Sequence, residues 1–247
     1  LQPIAPFLAR GGYAHDGEVA TRLGLAGIPV AAETVALYTY LQLARITGAR
    51  LHITRLSSAA GLDLIDQARA EGMQVTCDVS INHLHLCDMD IGYFDPNCHL
   101  VPPLRSQRDR EALCRGLRDG RIDALCSDHT PVDDDGKQTP FSESEAGATG
   151  MELLLPLTLK WAQDARLSLL DGLAPITSKA AEIVGITKAG HLSVGALADL
   201  CLFDPDAHAI ISRESLRSQG KNTPFLGLEL PGQVRYTLVE GQVMFES

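Results

Sequence analysis

Positive charge is scarce in this chain. It carries 21 Lys and Arg against 31 Asp and Glu, a formal net charge of −10. Nucleic acid is bound through basic patches that answer the phosphate backbone. The sequence has none, and Asp133-Asp134-Asp135 has the opposite sign, so no nucleic-acid partner is expected. No run of 18 apolar residues occurs, so no membrane span is expected. The opening stretch, LQPIAPFLARGG, lacks the basic region and long apolar core of a signal peptide. The six cysteines (77, 87, 98, 114, 126 and 201) contain no C-x-x-C pair. That spacing fits neither a zinc knuckle nor a dense disulfide framework. Cys77 and Cys126 sit inside apolar, strand-like runs, where a buried free thiol is the ordinary state. A reducing cytoplasm is the expected location.

What is present reads as alternation. The composition, 45% hydrophobic and 21% charged, is that of an ordinary globular protein. From Glu33, ETVALYTYLQLARITG has helical spacing and a stop at Gly48. ARLHI follows as a short strand. SSAAGLDLIDQARAEG is a helix with serines placed to cap it and Gly72 to end it. MQVTCDVS is a strand. LRSQRDREALCRGLRDG is a helix with Ser106 as N-cap, and IDALCS is a strand. Further helices are predicted near Met151–Ala165 and Thr177–Val184. Short buried strands alternating with helices make βα units around a parallel sheet. After about Lys188 the texture becomes β-rich, with an Glu240-Gly241 turn between two alternating runs. The expected division is therefore 1–188, a parallel α/β part, and 189–247, a small β module. About four barrel-type strands can be found, whereas a closed (β/α)₈ barrel needs eight and about 250 residues.

In parallel barrels the functional groups sit at the C-terminal ends of strands. Three such corners stand out: Thr54-Arg55-Leu56-Ser57, Ser80-Ile81-Asn82-His83 and Ser127-Asp128-His129. An Asp at such a corner can be a metal ligand, a general base, or both. It can equally be a solvated or capping loop residue.

The blocks HITRLSSAAGLDLI, GMQVTCDVSINHLHL, FDPNCHLVPPLRSQRDREAL, GRIDALCSDHTP, GATGMELLLPL, GALADLCLFDPD and KNTPF occur in that order. Together they resemble the dihydroorotase family of the amidohydrolase superfamily. The resemblance implies the back part of a TIM-like (β/α)₈ barrel plus a small β-sandwich that combines strands from both chain ends. It also implies zinc, which activates a water for opening the dihydroorotate ring. Asp128 then matches the catalytic Asp, which is also a metal ligand where metal is bound. Ala146 and Gly147 match the loop that presents backbone groups to substrate.

Other positions depart from the family pattern. Where active members read His-x-Cys-His, this chain reads His52-Ile53-Thr54-Arg55, so the expected ligand is replaced by Arg55. A guanidinium keeps its charge and has no lone pair for a metal; beside Asp128 it is expected to form an ion pair. The His that closes Asp-His-Ala-Pro-His is Val132. The Asn before Pro-Pro-Leu-Arg is Val101. Pro-His-His-Leu is Ile81-Asn82-His83-Leu84. The pattern is most similar to the non-catalytic dihydroorotase-like chains that accompany bacterial aspartate transcarbamoylase. It implies a scaffold role beside that enzyme's catalytic chain, in an oligomer, with zinc lost. An active zinc dihydroorotase and a related hydantoinase or allantoinase type of hydrolase remain the alternatives.

Plainer readings stand beside these. His83 and His85 would share one face of an extended segment. His52 and His99 are read as structural, and His15, His191 and His208 as solvated. Thr149 is a candidate cap for a helix from Gly150. Asp133–Lys137 reads as a solvated, lid-like loop, and Lys221–Phe225 as structural. About half a barrel would expose strand edges, so the intact protein is expected to be longer, or completed by another chain.

Overall fold

A computed structural model describes residues 1–247. By contacts the chain divides into two compact units. The first is Leu1–Met151 with Ser218–Pro224; the second is Glu152–Arg217 with Phe225–Ser247.

The first unit opens with α1 (Pro6–Ala9), β1 (Ala14–His15), α2 (Glu18–Leu23) and β2 (Gly27–Ile28), where β1 and β2 pair in parallel. It continues through α3 (Ala31–Thr47), β3 (Leu51–Ile53), α4 (Ala59–Ala70), β4 (Val75–Ser80), α5 (Ile81–His85), α6 (Gln107–Arg118) and β5 (Ala124–Cys126). Strands β3, β4 and β5 form one parallel sheet in that order, with Ile53 opposite Cys77 and Ser80 opposite Cys126. The first residue adds to its edge: Leu1 N donates to His52 O at 2.7 Å, and Thr54 N to Leu1 O at 3.0 Å. β4 is buried at nearly every position, as a parallel strand covered on both faces must be.

The helix signals work as local chemistry. Ser58 Oγ accepts from Gly61 N at 3.0 Å and Ser106 Oγ from Asp109 N at 3.3 Å; each such cap is worth about 1 kcal/mol. Gly48 closes α3 in the left-handed region at φ 69°. Ile53, Leu62, Ile65, Leu113 and Ile122 are fully buried, each contributing roughly 1.5–3 kcal/mol.

Two expectations change here. Residues 81–85 are helical, not extended, because Ser80 caps them by accepting from Asn82 N at 3.3 Å. His83 therefore turns inward while His85 is half-buried; residues two apart on a helix do not share a face. Thr149 caps no helix. It is buried, and its hydroxyl donates to Gly220 O at 2.7 Å.

The second unit holds α7 (Leu154–Asp164), α8 (Leu169–Leu173) and α9 (Ser178–Val184), then an antiparallel sheet of β6 (Leu200–Ile210), β7 (Glu229–Val239) and β8 (Gln242–Glu246). The β7–β8 hairpin turns on Glu240 (φ 50°) and Gly241 (φ 81°), the two left-handed residues of a two-residue loop. The units divide at Met151/Glu152 rather than near 188. The reason is that α7 packs on β7, where Gly232 (φ 88°) leaves no room for a Cβ against Leu159. No helix is long and apolar enough to cross a membrane.

Candidate functional site

The ends of β3, β4 and β5 bring the three sequence corners together. After β3, Arg55 takes a left-handed conformation (φ 56°). Asp78, on β4, holds it there, accepting from Arg55 N at 2.8 Å through Oδ1. The other oxygen, Oδ2, meets His52 Nε2 at 2.9 Å, and His52 Nδ1 meets Thr76 Oγ1 at 2.8 Å. Burial works to raise the Asp78 pKa, but hydrogen bonds from His52, Arg55 N–H, Cys126 and Thr54 outweigh it and hold the carboxyl below its usual value. His52 is thus structural, as expected.

After β5, Asp128 is also left-handed (φ 49°). Arg55 Nη1 lies 2.8 Å from Asp128 Oδ1, and the carboxylate is almost wholly buried. The expected ion pair is therefore present. The same guanidinium donates to Val101 O at 3.4 Å and to Gln2 Oε1. His129 turns elsewhere: its Nδ1 accepts from Gly150 N and Met151 N, both at 3.2 Å. After β4, His83 Nε2 meets Pro103 O at 3.1 Å, while its Nδ1 and the Asn82 Nδ2 are buried without a partner. Burial lowers the His83 pKa, against the pull of Asp128.

Arg55 and Asp128 line a cavity of ≈ 180 Å³ whose other wall includes Val101, Ala146 and Gly147. The four residues singled out in the sequence as catalytic, replaced ligand or substrate-contacting, Asp128, Arg55, Ala146 and Gly147, thus face one space. Gly147 is required by its backbone: φ is 146°, and a Cβ would overlap the Thr130 carbonyl. Its N–H donates to His99 O at 2.9 Å and its carbonyl accepts from Asn222 Nδ2 at 3.0 Å. Asn222 Oδ1 also accepts from Val132 N at 2.9 Å, which gives the KNTPF block its structural work. The Asp133–Lys137 loop is anchored: Lys137 Nζ donates to Pro96 O at 2.9 Å and Glu145 O at 2.6 Å. Burial brings the Lys137 pKa down to about 8.

A buried polar support lies under the Arg55 corner. Glu33 accepts from Ser57 N at 2.7 Å, from Ser57 Oγ at 2.6 Å and from Ser58 Oγ. Arg105 reaches Ser57 Oγ at 3.2 Å and Ile28 O at 2.6 Å. Burial raises the Glu33 pKa, against Arg105 and the serines. Sequence reasoning missed Glu33, Asp78 and Asn222. The only advance signals were a Glu in the first turn of a helical run with no other acidic residue, and the Asn inside the KNTPF block.

The residues present do not fit a zinc ion. No three His, Cys, Asp or Glu side chains are placed to hold a metal. The carboxylate best placed to ligate, Asp128, faces a guanidinium, which has no lone pair to give and repels a cation. His129 Nδ1 is engaged by backbone N–H groups. The thiols offer no substitute, since Cys77, Cys98 and Cys126 belong to no group of three ligating side chains; burial pushes Cys77 and Cys98 up to about 12 and Cys126 well above its ordinary value.

Comparison with known proteins bears on this geometry. The family model described as "Amidohydrolase family" matches residues 25–244. A dihydroorotase-like protein of Pseudomonas aeruginosa is 46% identical over 239 residues, 97% of this chain and 56% of that protein. A dihydroorotase of Geobacter sp. strain M21 is 38% identical over 236 residues, 96% of this chain and 55% of that protein. Among solved structures, L-hydantoinase (dihydropyrimidinase) from Arthrobacter aurescens is similar with a TM-score of 0.85 and 32% identity, over 96% of this chain and 52% of that one. The chain thus spans about half the length of the curated relatives it matches.

Proposed function

Because the chain belongs to the amidohydrolase family, on its dihydroorotase branch, we propose that it is a catalytically degenerate dihydroorotase-like protein of pyrimidine biosynthesis. Family membership makes the β3–β4–β5 unit part of a TIM-like barrel. The degenerate reading rests on one observation, the Arg55 guanidinium 2.8 Å from Asp128. A fixed cation there takes the carboxylate that would otherwise serve a metal or a proton transfer. In this reading the protein holds no catalytic zinc, resides in the cytoplasm, and acts as an oligomeric scaffold beside the catalytic chain of aspartate transcarbamoylase. The similarity to a Pseudomonas protein named dihydroorotase-like, rather than dihydroorotase, supports it.

Zinc content of the intact protein, purified without chelator or metal-binding tag, is the test. Well under one zinc per chain, with none gained on adding zinc and no turnover of dihydroorotate, is the expected result. Co-purification with a transcarbamoylase chain is expected alongside, and its absence would sink the scaffold role.

The likeness to L-hydantoinase and the identity with a dihydroorotase support a second reading, a working cyclic-amide hydrolase. One or more tightly held zinc ions and turnover of dihydroorotate, a hydantoin or allantoin would establish it and overturn the first.

A further inference from the structure

The guanidinium of Arg55 is held by oxygens from three separate segments. Nη1 donates to Asp128 Oδ1 at 2.8 Å and to Val101 O at 3.4 Å, and Nη2 donates to Gln2 Oε1. These partners lie 73, 46 and 53 residues from Arg55 in sequence. None belongs to the loop that carries Arg55, so the fold places the acceptors independently of the side chain they meet. The Gln2 amide has its own support: Gln2 Nε2 donates to Val101 O at 3.3 Å, which leaves Oε1 to face the guanidinium. Gln2 follows Leu1, whose backbone pairs with the edge of β3.

The chemistry of this set suits one class of cation. It offers one carboxylate and two neutral oxygens, all acceptors, to a planar fork that carries only donors. A divalent metal asks for His, thiolate or carboxylate ligands in a compact shell, and no three such side chains stand together. An ammonium is a compact point charge, less suited than a fork to acceptors on three separate segments. The backbone supports the placement. Arg55 and Asp128 both take left-handed conformations, at φ 56° and 49°, which residues other than glycine seldom adopt, and Asp78 fixes the first by accepting from Arg55 N. One rival donor stands by. His83 Nε2 meets Pro103 O, so the proton sits there and the Nδ1 lone pair is buried without a partner.

We propose that the C-terminal mouth of the β3–β4–β5 sheet is a guanidinium-binding site, which this chain fills with its own Arg55. The inference rests on the degenerate reading and deepens it: the site does not dispense with a cation but calls for a different kind, planar and rich in N–H donors. Asp128 creates the demand. Its side chain is 5% exposed, and a buried carboxylate stripped of its partner is costly. Gln2, Val101 and Asp128 all line the ≈ 180 Å³ cavity. Without the Arg55 side chain these acceptors remain, and a free alkylguanidinium should enter the cavity and occupy them.

Chemical rescue of Arg55→Ala in the intact protein is the experiment, read as the thermal unfolding midpoint. The variant should melt below the parent. N-ethylguanidinium, which restores the atoms removed, should raise that midpoint by a few degrees and saturably, with half-saturation on the order of millimolar, and leave the parent unmoved. Ethylammonium at the same concentration tests charge alone, and zinc tests a metal. Arg55→Lys should also melt below the parent. If Arg55→Ala does not fold, its refolding yield with and without N-ethylguanidinium is read instead. A variant as stable as the parent, Ala or Lys, overturns the proposal. So does a rise with ethylammonium as large as with N-ethylguanidinium, or no rescue by either. Rescue by zinc would mean that Asp128 and His83 still hold a metal, and overturns it too. The degenerate reading is tested on the parent, by zinc content and turnover, so the two failures are separable. A zinc-free parent with no rescue of Arg55→Ala overturns this inference alone; a zinc-loaded, active parent overturns the reading beneath it.

Discussion

At the scale of single residues, the Arg55–Asp128 pair is a commitment in both directions. The Asp128 side chain is 5% exposed and Arg55 29%. Breaking a buried pair by removing one partner costs roughly 3–5 kcal/mol, because the other charge is left without compensation. With Arg55 partly in solvent, Arg55→Ala should destabilise by about 2 kcal/mol in urea unfolding. Asp128→Asn in the same background should recover part of that loss; a double-mutant cycle with no coupling would show that the two charges do not interact. Gly147→Ala is a sharper case. A side chain at φ 146° is strained and would strike the Thr130 carbonyl, so a loss of about 2 kcal/mol or more is expected in thermal unfolding. An unchanged midpoint would mean the loop relaxes freely. Arg55, Asp128, Ala146 and Gly147 were legible in sequence because strand ends and motif blocks mark them. Asp78 and Asn222 were not, since their partners lie 23 residues away for Arg55 and 75 residues away for Gly147. Neither separation leaves a local pattern.

At the scale of elements, the loop ending in Lys137 shows what anchoring does to a charge. Its ammonium spans Pro96 O and Glu145 O, tying the two segments that continue into Leu100–Val101 and Ala146–Gly147 on the cavity walls. Burial takes its pKa from 10.5 to about 8, against Asp95, Cys98 and Glu145, which pull it up; His99, packed nearby, is itself held lower by burial and by Lys137. Between about 8 and 10.5 the unfolded chain keeps a proton that the folded protein has shed. Stability therefore rises with pH through that window, damped because the ammonium is only half-buried. Urea midpoints of the parent, relative to Lys137→Gln, should climb from pH 8 to 10; parallel curves would refute the shift. The longer elements were legible for local reasons: Ser58 and Ser106 cap what the periodicity starts, and Gly48 ends α3. α5 was not, because five residues directly after a strand are too few to show helical periodicity, and the alternating His83 and His85 mimic an extended run. The two-residue strands β1 and β2 fall below any pattern a sequence can carry.

At the scale of the whole molecule, the open edges decide how this chain behaves alone. β5 pairs only with β4, and in the antiparallel sheet both β6 and β8 are edge strands. Leu192, Val194, Leu197, Val243 and Met244 are more than half exposed in the second unit. Unpaired strand edges and clustered apolar surface are templates for further pairing. The 247 residues produced by themselves should bind a hydrophobic dye strongly and scatter light at micromolar concentration. A longer protein, or a partner that pairs those edges, should suppress both. A monodisperse chain that ignores the dye would mean that the edges are too short or too twisted to recruit strands. The three-stranded parallel order of β3, β4 and β5, one strand short of the four expected from the sequence, would then be a sheet that needs no completion.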